Sequence, residues 1–243
     1  MHNNKMFSLV CPCLNEEGNI EELATRFISC AQQANIDVEI VFVDDGSSDG
    51  TWQKMLEVDE KYPGRIVLIQ HSKNLGIPNA WKSGLDKANG SISGLIDSDL
   101  QNPPESAVEL YKCLMGNSLD LVRGVRRPVF HTEFSRKLMS KMLNSILNLV
   151  FGMSSADNKS GFIVGKREII ERMVSHKNTY KHFQTFIGVA TRSLEIRQIE
   201  IVTPFMRRSS GESFLNGKTL RTTLEVLLDI PTAAKEYGWR LKR

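Results

Sequence analysis

The chain has 243 residues, enough for one large domain or two small ones, and its 41% hydrophobic and 24% charged residues exclude a disordered or fibrous protein. Its 31 basic and 28 acidic side chains leave a net charge of only +3, which argues against a strongly basic nucleic-acid-binding protein. The charge is unevenly distributed, because residues 1–120 carry 9 basic and 18 acidic side chains and residues 121–243 carry 22 and 10. Two differently solvated surfaces would explain this, and so would an acidic metal-binding half that faces a basic anion-binding half.

Membrane-spanning and targeting segments are not expected. No apolar run approaches the roughly 18–20 residues of a bilayer-spanning helix, and the polar N-terminus does not resemble a signal peptide. The cysteines lack zinc-type spacing and partner histidines, so they are interpreted as reduced thiols: Cys11, Cys13, Cys30 and Cys113. We therefore expect a cytoplasmic protein. Peripheral contact with the inner face of a membrane stays open, because segment 218–243 has leucines at helical spacing and a basic end.

The first half of the sequence alternates between short apolar strand patterns and helical patterns. The predicted strands are 7–11, 38–43, 66–70 and 93–96, and the predicted helices between them are 19–34, 51–61 and 78–88. Asp49 is placed to cap the second helix and Gly90 to end the third. This alternation predicts βαβ crossovers and a mostly parallel sheet with helices on both faces.

The second half is less regular but still mixes strands and helices. Its predicted strands are 120–122, 162–164 and 194–202, and its predicted helices are 134–151, 167–174 and 219–229, with a further short helix from Pro231. The apolar face predicted for helix 134–151 consists of Leu138, Met142, Ile146 and Leu149. No repeat or linker divides the chain, so we predict a single α/β domain over residues 1–217 and a helical C-terminal extension over 218–243.

Polar segments follow four of the predicted strands at the point where each strand ends. These segments are 12–17, 44–50, 72–76 and 97–101. In open parallel sheets, ligands bind beyond the carboxyl ends of the strands. One such segment alone would be explained as a helix cap, whereas four at the same edge predict a ligand site.

Asp97 and Asp99 are the strongest candidates for metal ligands. They are two residues apart just beyond a strand, and an extended backbone places alternate side chains on one side. Carboxylates next to Gln101 suit Mg²⁺ or Mn²⁺, which retain coordination sites for phosphate oxygens. A turn rich in Asp and Ser would show the same spacing, but Asp44 and Asp45 on the adjacent strand favour the metal site.

Taken together, these segments resemble the family 2 glycosyltransferases of GT-A fold, and within them the dolichyl- and polyprenyl-phosphate sugar synthases. The resemblance is carried by 12–17, 43–51, 74–76 and 97–105, and it continues through 124–126, Arg136 with Ser140, 157–162 and 208–213. It covers roughly residues 7 to 215. A lone Asp-x-Asp would be weak evidence, whereas this ordered series is specific.

The resemblance implies metal-dependent, inverting transfer of a sugar from a nucleotide-sugar donor, with Mg²⁺ or Mn²⁺ as the cofactor. The donor-binding residues that it implies are Pro12, Leu14, Glu16, Asp44, Asp45, Asp97 and Ser98. The metal would be held by Asp97, Asp99 and Gln101. Phosphate of the donor or acceptor would meet Arg126, Arg136, Arg208 and Lys218, and the catalytic residues would be Asp99, Arg126 and Arg208. Metal and arginine would stabilise the charge that develops on the leaving diphosphate.

Two departures from the family pattern bear on the acceptor. Phe214 stands where this branch usually has lysine, and Lys218 could supply the missing contact. Transfer to a sugar hydroxyl needs a general base, but residues 180–184 contain no carboxylate and offer only His182. A phosphate acceptor is already anionic and needs no base, so a polyprenyl-phosphate-type lipid is favoured.

Other functions stay open at this stage. A saccharide hydroxyl in cell-surface polysaccharide or lipopolysaccharide synthesis is the alternative acceptor, and a non-catalytic nucleotide-sugar-binding protein is a further alternative. A nucleotidyltransferase is disfavoured, because it would carry a glycine- and arginine-rich loop where this chain has Pro12-Cys13-Leu14-Asn15. No nucleic-acid partner is expected, and a homo-oligomeric state is left open.

Overall fold

The computed structural model describes residues 6–126, 134–175, 180, 182–206 and 219–238, without the side chains of 134–137 and 219–221. Its strands are β1 (Phe7–Cys13), β2 (Val38–Asp44), β3 (Ile66–Gln70), β4 (Ile92–Leu95), β5 (Leu121–Arg126), β6 (Ile163–Lys166) and β7 (Gln198–Thr203). Its helices are α1 (Ile20–Gln33), α2 (Thr51–Lys61), α3 (Ile77–Lys87), α4 (Pro104–Gly116), α5 (Phe134–Phe151), α6 (Arg167–Val174), α7 (Ile187–Ser193) and α8 (Thr219–Tyr237). A 3₁₀ turn at Phe183–Phe186 precedes α7.

The seven described strands form one sheet in the order β3-β2-β1-β4-β6-β5-β7. Neighbouring strands are parallel from β3 to β4 and between β5 and β7, whereas β6 is antiparallel to both β4 and β5. Every residue of β1 and β2 is buried. Such strands are covered on both faces, which explains their nearly unbroken apolar sequences. The predicted class, an α/β domain with a mostly parallel sheet, is confirmed.

Helices cover both faces of this sheet, so the domain has two apolar layers. Phe7 and Leu9 of β1 pack in the layer with α1, α2 and α4. Val10 points to the opposite face and packs in the layer with α3 and α5 to α8. Gly84 of α3 is required at this contact, because a Cβ there would lie 2.3 Å from Cγ1 of Val10. The absence of a side chain therefore lets α3 lie directly on the sheet.

Helix α5 has the predicted bounds but not the predicted apolar face. Leu138, Met142 and Leu149 are 57%, 50% and 66% exposed, whereas Leu143 and Leu147 are buried. The helix also turns two polar residues towards the domain: the side-chain amides of Asn144 and Asn148 donate to the Ser155 carbonyl at 3.0 Å each. Leucine and methionine surround much of this helix, and the inward face consists of Leu143, Leu147 and Phe151 at four-residue spacing, with Ile146 the one predicted residue that packs against this layer.

Two predicted helix ends are wrong. Helix α8 continues through Pro231 to Tyr237 instead of stopping at Asp229. Proline costs about 3 kcal/mol inside a helix, but Pro231 lies on the exposed side, and the buried Val226, Ile230, Ala233 and Ala234 stabilise the helix against the domain. Gly90 does not end α3, which stops at Lys87. Instead, Gly90 permits a close approach, since a Cβ there would lie 2.5 Å from the Met6 carbonyl oxygen.

Neither α8 nor any other helix in the described ranges is long and apolar enough to cross a membrane. Because α8 supplies buried residues to the same layer as α3 and α5, it packs as part of the domain. The division into residues 1–217 and 218–243 stays a prediction.

Asp120, just before β5, should make the stability of the protein pH-dependent. Its Oδ1 lies 2.6 Å from Nζ of Lys166, and its Oδ2 accepts the Arg197 backbone N–H at 2.9 Å. These contacts, with Lys166 contributing most, lower the pKa of Asp120 to about 2. A carboxylate with a lowered pKa stabilises the fold above its unfolded pKa of about 3.9, and this stabilisation is lost as the pH falls towards 2.

We therefore expect Asp120→Asn to lower the free energy of unfolding at pH 7 by about 1–2 kcal/mol, after allowance for the partly exposed lysine. The difference from the wild type should shrink as the pH falls from 4 to 2, as measured by urea unfolding. Asp86→Asn, at an exposed position in α3, is the control. A difference that does not change with pH would rule out this role for Asp120.

Candidate active site at the carboxyl edge of the sheet

The polar segments singled out in the sequence meet at one edge of the sheet. Since strands lie about 4.8 Å apart, their order in the sheet gives the order of the segments along this edge. From β3 to β7, the segments are 71–76, 44–50, 12–17, 97–101, 157–162, the end of β5 at Arg126 and 204–206. Segment 157–162 reaches this edge because β6 is antiparallel and therefore begins where its neighbours end.

Asp44 ends β2, and its carboxylate is fully buried at this edge. Oδ1 accepts the Ser47 backbone N–H at 2.9 Å, and Oδ2 accepts the side-chain amide of Gln70 at 3.1 Å. Gly46 has φ +76°, and a Cβ there would lie 2.5 Å from the Lys73 carbonyl carbon. Glycine therefore lets the turn after β2 pack against the loop after β3, and this packing orients the Asp44 side chain.

Asp45 anchors the loop that follows β3. Its Oδ1 accepts the Leu75 N–H at 2.9 Å and lies 2.7 Å from Nδ1 of His71, while its Oδ2 accepts the Gly76 N–H at 2.8 Å. The other ring nitrogen of His71 lies 2.9 Å from Oγ of Ser83 on α3. The structure thus gives Asp45 the role of holding a neighbouring loop, and its direct contact with a donor stays a prediction.

Removal of the Asp45 carboxylate should loosen this loop selectively. In Asp45→Ala, we expect the amide hydrogens of Leu75 and Gly76 to exchange at least about tenfold faster, because each loses a charge-assisted hydrogen bond. Hydrogen–deuterium exchange read by NMR would measure this change. The amides of α1 serve as the internal control, and unchanged exchange at both loop positions would contradict the anchoring role.

Glu16 lies beyond β1 and is oriented by its neighbours. Its backbone N–H donates to the Thr51 hydroxyl at 2.8 Å, and its Oε2 accepts the side-chain amide of Asn19 at 2.5 Å. Burial raises the pKa of Cys11, and Cys13 and the negative charges of Asp97 and Glu16 raise it further. Cys11 is therefore a neutral thiol in β1, close to the acidic side chains of segments 12–17 and 97–101.

The turn after β4 carries Asp97 and Asp99, of which Asp99 is 7% exposed. Oδ1 of Asp99 accepts the Gln101 backbone N–H at 3.0 Å. Leu100, between them, has φ +59°, a left-handed conformation that is rare for a branched residue. Its side chain is buried in the α1/α4 layer, so apolar packing stabilises the strained turn. Strain of about 1–3 kcal/mol retained at one turn is typical of functional sites.

The donor set at this turn fits a hard divalent cation that also binds substrate phosphates. Asp97 and Asp99 are two oxygen ligands, and Mg²⁺ is commonly bound by one or two carboxylates together with phosphates and waters. The described residues contain no group of three or more acidic, histidine or cysteine side chains that would hold a metal without a substrate. The side-chain amide of Gln101 lies 3.5 Å from the Met206 carbonyl oxygen, so its role as a ligand stays a prediction.

Arg126 ends β5 and forms a two-point ion pair with Asp157. Its Nε lies 2.5 Å from Oδ2 and its Nη2 lies 3.0 Å from Oδ1 of that carboxylate. Burial opposes the charge, but Asp157 and the more distant Asp97 and Asp99 raise the pKa of Arg126. Burial likewise opposes the charge of Asp157, yet the hydrogen bonds from Arg126 lower its pKa. Arg126 is therefore a permanent positive charge at the end of β5, next to segment 157–162 on the side away from the Asp97/Asp99 turn.

A second arginine of β5, the buried Arg123, holds the backbone of Asp157 next to this ion pair. Arg123 of β5 donates to the Asp157 carbonyl oxygen at 2.8 Å and to Oε1 of Glu200 at 3.0 Å. A Cβ on Gly188 would lie 3.0 Å from Nη2 of Arg123, so glycine leaves the space that the guanidinium needs. Arg123 is thus a structural cation that fixes the backbone at Asp157.

Residues 8–178 match the family model described as Glycosyl transferase family 2. The chain belongs to this family. The match covers more than half of the chain, and the resemblance predicted from the sequence is confirmed.

Curated relatives of this family 2 chain act on polyprenyl phosphates, according to their names. It is 32% identical over 219 residues to a dolichol-phosphate mannosyltransferase from Pyrococcus furiosus, an alignment that covers 88% of the chain and 60% of the relative. It is 30% identical over 231 residues to an undecaprenyl-phosphate 4-deoxy-4-formamido-L-arabinose transferase from Photorhabdus laumondii, with coverages of 95% and 69%. The family 2 chain thus spans between 60% and 69% of the length of these two relatives.

Solved structures show the GT-A fold of the family 2 chain. One is glucosyl-3-phosphoglycerate synthase from Mycobacterium tuberculosis with Mn²⁺, UDP and glucosyl-3-phosphoglycerate, at a TM-score of 0.63 and 20% identity, covering 93% of this chain and 80% of that one. Another is a mannosyltransferase from Pyrobaculum calidifontis with GDP-Man and Mn²⁺, at a TM-score of 0.61 and 18% identity, with coverages of 97% and 74%. At these identities the likeness establishes the fold alone.

The remaining predicted site residues of this family 2 chain fall into two groups. Pro12 and Ser98 are buried and Leu14 is half-buried at the described edge. The side chain of Arg136 and residues Arg208, Phe214 and Lys218 lie outside the described part, so their roles stay predictions.

His182, the alternative base, has its Nε2 2.7 Å from Oε2 of Glu225 on α8. That contact indicates a structural histidine.

Sequence reasoning assigned no role to His71, Arg123 or Lys159. The only signal for Lys159 was its place within segment 157–162, which contributed to the family resemblance. His71 and Arg123 each act through contacts with distant parts of the chain, and local spacing does not reveal such contacts.

Proposed function

We propose that this protein is a metal-dependent, inverting glycosyltransferase that transfers a sugar from a nucleotide-sugar donor to a polyprenyl-phosphate-type lipid. The observation that carries the proposal is the order of charges along the sheet edge. Acidic residues beyond β2 and β1 come first, the Asp97/Asp99 pair beyond β4 follows, and Arg126 comes last. A nucleotide sugar laid along this edge would place its nucleoside, diphosphate and sugar against these groups in that order.

The nucleoside end of the donor would lie over β2 and β1. Asp44 and Glu16 are held in place there by hydrogen bonds from neighbouring elements, so their carboxylates are preorganised to accept hydrogen bonds from a base or ribose. Asp45 holds the loop after β3 beside them. Solved structures of the same fold that contain UDP or GDP-Man support a nucleotide donor.

Asp97 and Asp99 would hold Mg²⁺ or Mn²⁺ against the donor diphosphate. When bound, such a cation would stabilise the negative charge on the leaving diphosphate. Structures of related fold that contain Mn²⁺ or Mg²⁺ together with UDP support this cofactor. Arg126 adds a fixed positive charge on the far side of the same turn.

The chemical step would be a single displacement at the anomeric carbon. An oxygen of the acceptor phosphate forms the new bond, the bond to the donor diphosphate breaks, and the nucleoside diphosphate leaves with the electron pair and inverts the configuration. Asp157, the carboxylate beside Arg126, has a lowered pKa and would be a poor proton acceptor. An acceptor that is already anionic does not require one, and this supports a lipid phosphate over a saccharide hydroxyl.

The names of the curated relatives support the same acceptor class. A lipid acceptor would bring the chain to a membrane surface, and peripheral contact there is part of this proposal. The exposed Leu224 and Leu228 of α8 and the exposed leucines of α5 are apolar side chains that could face such a surface.

A transfer assay with the full chain tests the proposal. We expect one nucleotide sugar of a panel, incubated with Mn²⁺, to be consumed only with a polyprenyl monophosphate in detergent micelles, giving a glycosylated lipid phosphate detectable by mass spectrometry. The matched control is the polyprenol without its phosphate, which should give no product. Transfer to a saccharide instead would contradict the lipid-phosphate acceptor. Turnover that a metal chelator does not reduce would contradict the metal dependence.

A further inference from the structure

Lys159, in the segment before β6, has no role in the function proposed so far. Its ammonium donates to the hydroxyl of Ser140 on α5, and its backbone N–H donates to Oδ1 of Asp157 at 3.1 Å. No carboxylate within the described ranges lies at ion-pair distance from this ammonium. A partly buried lysine is thus held by a neutral side chain, which fixes its position without neutralising its charge.

The surroundings of Lys159 have an excess of positive charge. Burial and the nearby Arg126 lower the pKa of Lys159 to about 8, although Asp157 acts in the opposite direction. Asp157 is already bound at both oxygens by Arg126. Two cations therefore share one carboxylate, and a second anion would relieve the cost of keeping both charged in a partly desolvated place.

The place of Lys159 along the edge indicates which anion this is. The nucleoside and diphosphate of the donor would occupy β2, β1 and β4, and Lys159 lies beyond them, between the Asp97/Asp99 turn and the end of β5. The acceptor must approach the anomeric carbon from the side opposite the leaving diphosphate. The phosphate of the acceptor is therefore the anion that reaches this position.

We propose that Lys159, oriented by Ser140, binds the phosphate group of the acceptor. The inference rests on the proposed function for the identity of the acceptor. The ligand that this inference requires is a phosphate monoester. The diphosphate of the donor also carries phosphate oxygens, so the experiments must distinguish the acceptor from the donor. Arg126, whose guanidinium is bound by Asp157 through two hydrogen bonds, then serves as a fixed neighbouring charge.

Amine labelling of the wild-type chain tests the phosphate site without any turnover. An acylating reagent at pH 8 should modify Lys159, and mass spectrometry of the peptides would give its rate relative to the exposed Lys112 of α4. We expect a short isoprenyl monophosphate to slow the labelling of Lys159 at least about fivefold, and inorganic phosphate to do so at higher concentration. UDP with Mn²⁺ should leave the labelling rate unchanged. Protection by UDP but not by the monophosphates would assign Lys159 to the donor site, and no protection by any phosphate compound would contradict a phosphate site at Lys159.

Kinetics then separate the acceptor from the donor. In Lys159→Met we expect the KM for polyprenyl phosphate to rise about 10- to 100-fold, as for loss of a charged hydrogen bond, with the KM for the donor within about twofold of wild type. Lys159→Arg should recover part of the loss, and Lys112→Met should behave as wild type. Equal losses for both substrates would overturn the proposal.

The two tests distinguish failure of this inference from failure of the proposed function. If the chain transfers no sugar but isoprenyl phosphate still protects Lys159, the phosphate site stands and the transferase proposal fails. If transfer occurs and Lys159→Met leaves the acceptor KM unchanged, the lysine has no such role. Should Lys159→Met fail to fold, judged by its melting temperature, protection in the wild type decides the question.

Discussion

Asp99→Asn should reduce sugar transfer by about 100- to 1,000-fold, the loss expected when a charge that stabilises the transition state is removed. An asparagine oxygen can still accept the Gln101 N–H, so the turn around Leu100 and the fold should be retained. The carboxylate charge that would hold the cation is lost. The affinity for UDP in the presence of Mn²⁺ should fall together with activity, which calorimetry would measure.

The matched control for this variant is Asp86→Asn, which removes the same charge from an exposed position on α3. Its activity and its UDP affinity should match those of the wild type. Activity near the wild-type level in Asp99→Asn would remove Asp99 from the metal site and would leave the Asp97/Asp99 turn without its proposed role.

Breaking the pair between Asp157 and Arg126 should have the largest effect on stability. We expect Asp157→Ala to lower the free energy of unfolding by about 2–3 kcal/mol, because it leaves the guanidinium without its hydrogen-bonded partner. Arg126→Ala should cost a similar amount. The double variant should cost clearly less than the sum, as expected for residues in direct contact.

The surface pair of Arg26 and Glu105 provides a control with the same geometry. It is also bound at two points, at 2.7 and 2.9 Å, but the side chain of Glu105 is 38% exposed and that of Asp157 only 11%. Glu105→Ala should therefore cost less than about 1 kcal/mol. Urea unfolding of both sets of variants gives the comparison, and equal losses would show that burial does not strengthen the Arg126 pair.

Much of the donor side of the site could be predicted from the sequence because its signals are local. Asp44 is the last residue of β2 and Asp99 follows the end of β4 by four residues, and the edge rule for parallel sheets brings such residues together. Helices α2, α5 and α6 have the predicted bounds. The cap predicted at Asp49 is displaced by one residue: the N-cap of α2 is Gly50, and Oδ1 of the preceding Asp49 accepts the Thr51 N–H at 3.0 Å.

The other side could not be predicted because its contacts are non-local. The antiparallel placement of β6 between β4 and β5 is decided by packing across the whole sheet, and this placement brings Asp157 to Arg126. Helix α4 was not predicted, although the proline at its first position is well suited to the first turn of a helix. In α5, the buried face carries Leu143 and Leu147 instead of Leu138, Met142 and Leu149, because apolar residues surround much of the helix and their spacing alone fits more than one face.

The position of β6 also has a consequence for how the protein can be divided. β5 and β7 are joined to the first four strands only through β6, the strand that lies between β4 and β5. A fragment that ends before Ile163 would leave β5 without a hydrogen-bonded neighbour, even though all of β5 precedes that point in the chain. The acidic first half thus contributes β1 to β4 and the basic second half contributes β5 to β7, and the two sets of strands meet only at the pairing of β4 with β6. The domain can join them into a continuous sheet only after residue 166 has been synthesised.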